Sequence, residues 1–80
     1  MTLDEIKSEL TEIIRDVLDD KTIALTRETT ANDIEDWDSL AHINIIVAIE
    51  EEFRIKFNLN ELKSLQNVGD MMDLIQVKIS

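Results

Sequence analysis

Cysteine, proline and tyrosine are absent from this chain, and glycine occurs only once. Without cysteine there is no disulfide framework, no thiolate metal site and no thiol nucleophile, so any sulfur chemistry would need a cofactor. Strand-type alternation of apolar and polar residues is also rare, whereas apolar residues recur three and four positions apart. This pattern predicts an all-α fold.

Positive charge is scarce as well. Asp and Glu number 18 against 8 Lys and Arg, which gives a net charge of −10. Such a charge repels nucleic acid and anionic lipid and favours partners with basic patches. No apolar run is long enough to cross a bilayer, and the first ten residues do not form a signal segment. We expect one cytoplasmic domain over residues 1–80, which functions through its surface because so short a chain builds only a small core.

The first helix is predicted at Leu3–Leu18. Thr2 and Glu5 form a capping-box pattern at its start. Apolar residues then recur at helical spacing, namely Leu3, Ile6, Leu10, Ile13, Ile14 and Val17. Residues 19–37 are rich in threonine, which disfavours a helix. We predict a long ordered loop there, held by the apolar anchors Ile23, Leu25, Ile34 and Trp37.

A second helix is predicted from the N-cap Asp38 to about residue 55. Its buried stripe is predicted to consist of Ile43, Ile46, Ile49 and Phe53. This is the most apolar segment of the chain, so we expect it to lie at the centre of the fold.

Two more helices complete the predicted fold. A short one is expected at residues 60–65, because Asn58 and Glu61 can form a capping box, and its buried residues can only be Leu62 and Leu65. The last helix begins at Asn67, with Asp70 in its first turn and an apolar face of Val68, Met71, Met72, Ile75 and Ile79. Met71 and Met72 are interpreted as core residues. The prediction is a small four-helix bundle with three longer helices, one short third helix and a long loop between the first two.

The segment most informative about function runs from Asp36 to Leu40. It places Ser39 in the first turn of the second helix, directly after the acidic N-cap Asp38. A hydroxyl there is exposed at the positive end of the helix dipole, where free backbone N–H groups can stabilise an attached phosphodiester. The alternative is that the pair is an ordinary helix start, because Asp-Ser pairs are common caps.

The chain resembles the acyl carrier protein family over nearly its whole length. The resemblance rests on Asp38-Ser39-Leu40 at a helix start, on the apolar run that ends in Glu50-Glu51-Glu52-Phe53, and on Asn67-Val68-Gly69-Asp70 at the start of the last helix. It implies that a separate transferase, using coenzyme A and magnesium, attaches 4′-phosphopantetheine to Ser39, with Asp38 as part of the recognised segment. The arm would hold acyl groups as thioesters, and the chain would be a carrier and a substrate of other enzymes instead of an enzyme.

The resemblance also implies partner enzymes, which are the transferase and the acyl-loading ligases or synthases with basic docking patches. The expected docking residues lie on the second helix beside Ser39: Leu40, Asn44, Val47, Glu50 and Glu51. Many fatty-acid carriers have more acid where this chain has Ala41, His42 and Asn44, so a specialised or polyketide-type pathway is as consistent with the sequence as fatty-acid synthesis. We expect a monomer.

Alternatives stay open for single features and for the chain as a whole. His42, one turn after Ser39, is interpreted as a partly buried ring with a satisfied nitrogen, as the entrance to an acyl-chain pocket, or as the base of a hydrolase with Ser39. No metal site is expected, because an EF-hand count from Asp33 or from Asp36 places wrong residues at the ligand positions. The alternative for the whole chain is an unmodified acidic helical protein that binds or inhibits a basic partner.

Overall fold

A computed structural model describes all residues, 1–80, and contains four α-helices. They are α1 at Leu3–Leu18, α2 at Ser39–Phe53, α3 at Leu59–Ser64 and α4 at Val68–Ile79. The all-helical bundle, with its short third helix and long first connection, confirms the predicted fold class. None of the helices is both long and apolar enough to cross a membrane.

Side chains close to each start determine where the helices begin. The Thr2 hydroxyl accepts the Glu5 N–H at 3.2 Å while the Glu5 carboxylate accepts the Thr2 N–H at 2.8 Å, which confirms the predicted capping box of α1. Asn58 and Glu61 form the equivalent pair at α3. At α2 and α4 a single side chain, Asp38 or Asn67, does the capping.

The core lies between α1, α2 and α4, and α1 packs against both of the other two. The side chains with essentially no exposure come from all three helices: Ile6, Leu10, Ile14, Ile45, Ile49, Val68 and Ile75. Met71 and Met72 are buried as predicted. Leu62 and Leu65, predicted as the buried residues of the third helix, are half-buried and pack on the edge of this core.

The long connection between α1 and α2 is ordered by contacts at several points. Ile23, Leu25 and Trp37 are buried, Ile34 is half-buried, and a single 3-10 turn spans Ala31–Asp33. The Arg15 side chain of α1 donates to the Ile23 carbonyl at 2.7 Å. The predicted anchors are therefore confirmed, and they hold the loop so that its end enters α2 at a defined place.

The predicted buried stripe of α2 is wrong at one position. Ile43 is 58% exposed, whereas Ile45, which was not predicted, is fully buried with Ile46 and Ile49. Successive steps of three residues rotate about 60° backwards around an α-helix, so Ile43 lies about 120° away from Ile49. Phe53, also placed in the stripe, is half-buried.

The bounds of the second and third helices differ slightly from the prediction. The second helix ends at Phe53 instead of continuing to about residue 55, because Arg54 adopts the left-handed conformation, with φ 56° and ψ 48°. The N–H groups of Arg54 and Ile55 both donate to the Glu50 carbonyl, which closes the helix, and Ile55 is buried beyond it. The third helix begins and ends one residue earlier than predicted.

Candidate functional site

Ser39 is the first residue of α2, and the helix start exposes it to solvent. The Asp38 carboxylate accepts the Ala41 N–H at 2.8 Å, so the cap satisfies one of the free N–H groups at this end. The N–H groups of Ser39 and Leu40 lie in the first turn, where no carbonyl of the helix can reach them. An anionic group on the Ser39 hydroxyl would meet these N–H groups and the positive end of the helix dipole.

The residue before the cap, Trp37, connects the loop to the first turn of α2. Its ring is buried, and its Nε1–H donates to His42 Nδ1 at 3.1 Å. The two rings are also stacked, with centroids 6.0 Å apart and planes 30° from parallel. Because Nδ1 is the acceptor, the proton of the neutral His42 ring lies on Nε2. Trp37 and His42 lie on either side of Ser39 in the sequence, and their contact holds the end of the loop against α2, which carries the Ser39 hydroxyl.

Two concave regions lie on either side of the Trp37–His42 pair. The outer one is an open depression of about 680 Å³ that includes Asp38, Ser39 and Ile43. The inner one is a cavity of about 40 Å³ next to Val68 and Met71 of α4. Both are lined by Ala31, Trp37 and His42, so the two regions adjoin at these three residues.

The site fits a phosphopantetheine group by its exposed attachment point, its mixed lining and its donors. The depression beside Ser39 lies within the range of about 300–1,000 Å³ that is usual for small-molecule sites. Its lining combines the apolar Ala31 and Ile43 with polar groups such as Asn32, which suits an arm of methylene and amide units. The exposed hydroxyl of Ser39 and the free N–H groups beside it supply the position for a phosphodiester.

Four of the five predicted docking residues are exposed on one side of α2, and Glu50 is the exception. Leu40 and Val47 are 67% and 46% exposed, and Asn44 and Glu51 are exposed as well. Glu50 is half-buried, and its Oε2 accepts the Phe57 N–H at 2.9 Å. One of its two carboxylate oxygens therefore stabilises the chain after α2, which leaves Glu51 as the more accessible of the two acids.

Carboxylates crowd the C-terminal end of α2, where α1 runs alongside. A hydrogen bond with Glu52, reduced hydration, and the negative charges of Glu52 and Glu12 together raise the pKa of Glu9. Negative charge from both helices is thus concentrated at the end of α2 that is remote from Ser39.

Residues from the loop complete the surroundings of Ser39 and were not predicted. Ala31 and Asn32 reach the depression from the 3-10 turn, and nothing in their local sequence indicates this. Ile43 could have been found, because a helical projection places it beside Leu40 and Val47. The loop residues depend on the path of the chain between α1 and α2, which periodicity does not describe.

Comparison with known proteins supports the same interpretation of the site. The family model described as "Phosphopantetheine attachment site" matches residues 8–75. An acyl carrier protein of Acidothermus cellulolyticus is 36% identical over 75 residues, covering 94% of this chain and 89% of that protein. The meromycolate extension acyl carrier protein of Mycolicibacterium smegmatis is 35% identical over 75 residues, covering 94% and 76%.

A solved structure agrees with the helical arrangement. The solution structure of a holo acyl carrier protein from Geobacter metallireducens superimposes with a TM-score of 0.87 at 55% identity, covering 91% of this chain and 84% of that one. The family match and this holo structure support covalently bound 4′-phosphopantetheine as the cofactor of the present chain. The open serine-bearing helix start, the family match across most of the chain and the shared fold lead to one conclusion: the chain belongs to the acyl carrier proteins that bear a phosphopantetheine arm.

Proposed function

We propose that Ser39 is the residue to which the phosphopantetheine arm is attached. The observation that supports it best is the exposed hydroxyl at the open start of α2, beside a depression large enough for the arm. In the attachment step, Ser39 Oγ bonds to the phosphorus that bears pantetheine in coenzyme A, and the pyrophosphate P–O bond breaks. Adenosine 3′,5′-bisphosphate leaves, and the hydroxyl proton passes to a base of the transferase.

Partner enzymes then approach the exposed side of α2. Leu40, Asn44 and Val47 extend from Ser39 along the helix, and Glu50 and Glu51 follow at its end. Asp38 is adjacent to the modified residue and is accessible to the transferase. Basic docking patches on the partners are supported by the net charge of −10 and by the acids at the end of α2.

The chain acts as a carrier and not as a catalyst. A hydrolase that used Ser39 would need a free nitrogen of the His42 ring as its base. In the neutral ring Nδ1 already accepts the Trp37 N–H at 3.1 Å and Nε2 carries the proton, so neither nitrogen is free to accept the Ser39 proton. His42 is instead half-buried with Nδ1 hydrogen-bonded, which matches the first of its three interpretations. It also lines both the depression and the inner cavity, which supports the second interpretation, a place at the entrance to an acyl pocket.

The pathway that we propose is a dedicated biosynthetic one, of fatty-acid, polyketide-type or other specialised chemistry. Support comes from the relative named for meromycolate extension and from the lack of acid at Ala41, His42 and Asn44. Location in the cytoplasm and a monomeric state stay predictions of the sequence.

The test is intact-protein mass spectrometry after incubation with coenzyme A, magnesium and a broad-specificity phosphopantetheinyl transferase. The wild-type chain should gain the mass of one phosphopantetheine group, and Ser39→Ala should gain none while keeping its helical circular dichroism. Ser64→Ala, which removes an exposed serine of α3, is the matched control and should be modified like wild type. A mass gain in Ser39→Ala would refute the assignment, and failure of the wild-type chain with several transferases would favour the unmodified acidic interaction protein.

A further inference from the structure

The inner cavity beside the Trp37–His42 pair is small. Its volume is about 40 Å³, and it adjoins the outer depression that includes Ser39. An apolar cavity of about 150 Å³ holds one benzene molecule. The inner cavity is roughly a quarter of that size, which leaves room for about two carbon atoms. A fatty acyl chain requires far more space.

Buried side chains form much of the cavity wall. Trp37, Val68 and Met71 line the cavity, and all three are buried. Trp37 is also held in place, because its Nε1–H donates to His42 Nδ1 at 3.1 Å and its ring stacks on the His42 ring. Protein cores are packed about as densely as organic crystals, so a long chain could enter only by displacing side chains from their contacts.

Four polar residues also line the cavity, namely Thr29, His42, Gln66 and Asn67. A hydrocarbon chain that covered these side chains would remove them from water without offering them hydrogen bonds, which is unfavourable. A short acyl group would leave most of them hydrated. The size of the cavity and the polarity of its lining therefore both disfavour a long hydrocarbon chain.

We propose that this chain carries short acyl groups, and that Trp37 and Met71 exclude longer hydrocarbon chains from its core. The inference rests on the proposed function, because the acyl group is carried on the arm attached to Ser39. It names a class of acyl group for a carrier whose pathway the sequence leaves open. It also gives Trp37 a role in specificity in addition to its contact with His42.

The test compares acyl forms that differ in chain length. A broad-specificity phosphopantetheinyl transferase loads the chain from acetyl-coenzyme A or from dodecanoyl-coenzyme A, and intact-protein mass spectrometry confirms each product. The thermal midpoint and the rate of thioester cleavage by hydroxylamine are then measured. An acyl chain that enters the core stabilises the folded state and shields its thioester, whereas one that stays outside does neither.

Two variants enlarge the cavity, and a third is the matched control. Met71→Ala and Trp37→Phe each shorten a side chain that lines the cavity. Met72→Ala is the control, because Met72 is as buried as Met71, at 3% exposure, but does not line the cavity. Trp37→Phe keeps an aromatic ring in the core, so it serves if Met71→Ala does not fold. Circular dichroism establishes that each variant is folded.

In the wild type, the two acyl forms should have thermal midpoints within about 1 °C and cleavage rates within about twofold of each other. In Met71→Ala and Trp37→Phe, the dodecanoyl form should melt about 5 °C or more above the acetyl form, because buried methylene groups add stability. Its thioester should also be cleaved about threefold more slowly. Met72→Ala should behave like the wild type.

A dodecanoyl chain that stabilises or shields the wild type would overturn the proposal. The absence of any gain in both enlarged variants, or an equal gain in Met72→Ala, would overturn the assignment of the limit to Trp37 and Met71. These results differ from failure of the proposed function, because a chain without an attachment site at Ser39 would yield no acyl form at all.

Discussion

The N-termini of α2 and α4 are capped in the same way but lie in different surroundings. Asp38 accepts the Ala41 N–H at 2.8 Å, and Asn67 accepts the Asp70 N–H at 2.8 Å. At α4 the next two N–H groups are already paired, because Val68 donates to the Thr29 carbonyl and Gly69 to the Arg27 carbonyl, both at 2.9 Å. At α2 the corresponding N–H groups belong to the exposed residues Ser39 and Leu40 and have no acceptor from the loop.

The difference shows that a capped helix start is not by itself a functional site. The loop between α1 and α2 covers the start of α4 and buries Val68 and Gly69, whereas the same loop leaves the start of α2 open. A closed start contributes stability, and an open one is available for chemistry. Substitutions at the two starts should therefore separate stability from modification.

The largest effect on stability is expected for Gly69→Ala. A Cβ at this position would lie 3.0 Å from the Arg27 carbonyl oxygen and 3.1 Å from the Arg27 Cβ, so Arg27 would have to shift by a few tenths of an ångström, against the hydrogen bond that its carbonyl accepts from the Gly69 N–H. We expect the free energy of unfolding in urea to fall by about 1–3 kcal/mol, as for other overpacked sites.

The matched variant at the open start is Ser39→Ala, which should change the free energy of unfolding by no more than about 0.5 kcal/mol. Modification should show the reverse pattern, with loss in Ser39→Ala and retention in Gly69→Ala. Equal stability losses in the two variants would contradict the distinction between a closed and an open start.

A smaller effect is expected for Trp37→Phe, which tests what orders the open start. The variant keeps an aromatic ring in the core but removes the N–H that bonds His42 Nδ1. We expect a loss of about 1 kcal/mol in the free energy of unfolding, the usual net value of such a bond. In a His42→Ala background the same substitution should cost less, and a double-mutant cycle measures the difference. Strictly additive losses would show that the bond contributes nothing.

The smallest effect is a pH dependence at the closed start. Arg27 of the loop forms a bidentate pair with Asp73 of α4, at 3.1 and 2.7 Å. The hydrogen bonds from Arg27, aided by its charge and opposed by reduced hydration, hold the pKa of Asp73 below its ordinary value of 3.8. A carboxyl with a lowered pKa in the folded state contributes stability that is present above pH 3.8 and is lost as the pH falls through the folded value.

The check is the free energy of unfolding between pH 6 and pH 3 for the wild type and for Asp73→Asn. The wild-type curve should decline more steeply below about pH 4, since the amide that replaces the carboxylate in the variant has no proton to gain. Both side chains of the pair are about half exposed, so the difference should be small and should shrink further in high salt. Parallel curves would show that the pair does not anchor the loop.

The predictions from sequence succeeded where a feature depends on near neighbours in the chain. The bounds of α1 are those predicted, because Thr2 and Glu5 are three residues apart and cap each other whatever surrounds them. The same holds for the N-cap Asp38, and hence for the place of Ser39 in the first turn of α2. The position of the candidate site in the chain was thus predictable.

The predictions from sequence failed where the buried face of a helix depends on packing against other helices. Leu40, Ile43, Ile45, Ile46, Val47 and Ile49 are all apolar, so α2 offers several faces of similar hydrophobicity to the core. Which face is buried depends on how α1 meets α2, and the answer exposed Ile43 and buried Ile45. The end of α2 at Phe53 likewise depends on Arg54 accepting a left-handed conformation, which a non-glycine residue adopts only when its surroundings favour it.

By itself, therefore, the sequence determined the helices, their caps, the net negative charge and the serine at a helix start, since all of these follow from contacts within a few residues or from composition. Only the tertiary structure decided that the start of α2 stays open while that of α4 is covered, and that α2 buries Ile45 instead of Ile43. Those outcomes depend on contacts between residues that are remote in the chain or on the competition of several apolar faces for one core, and local pattern carries no information about either.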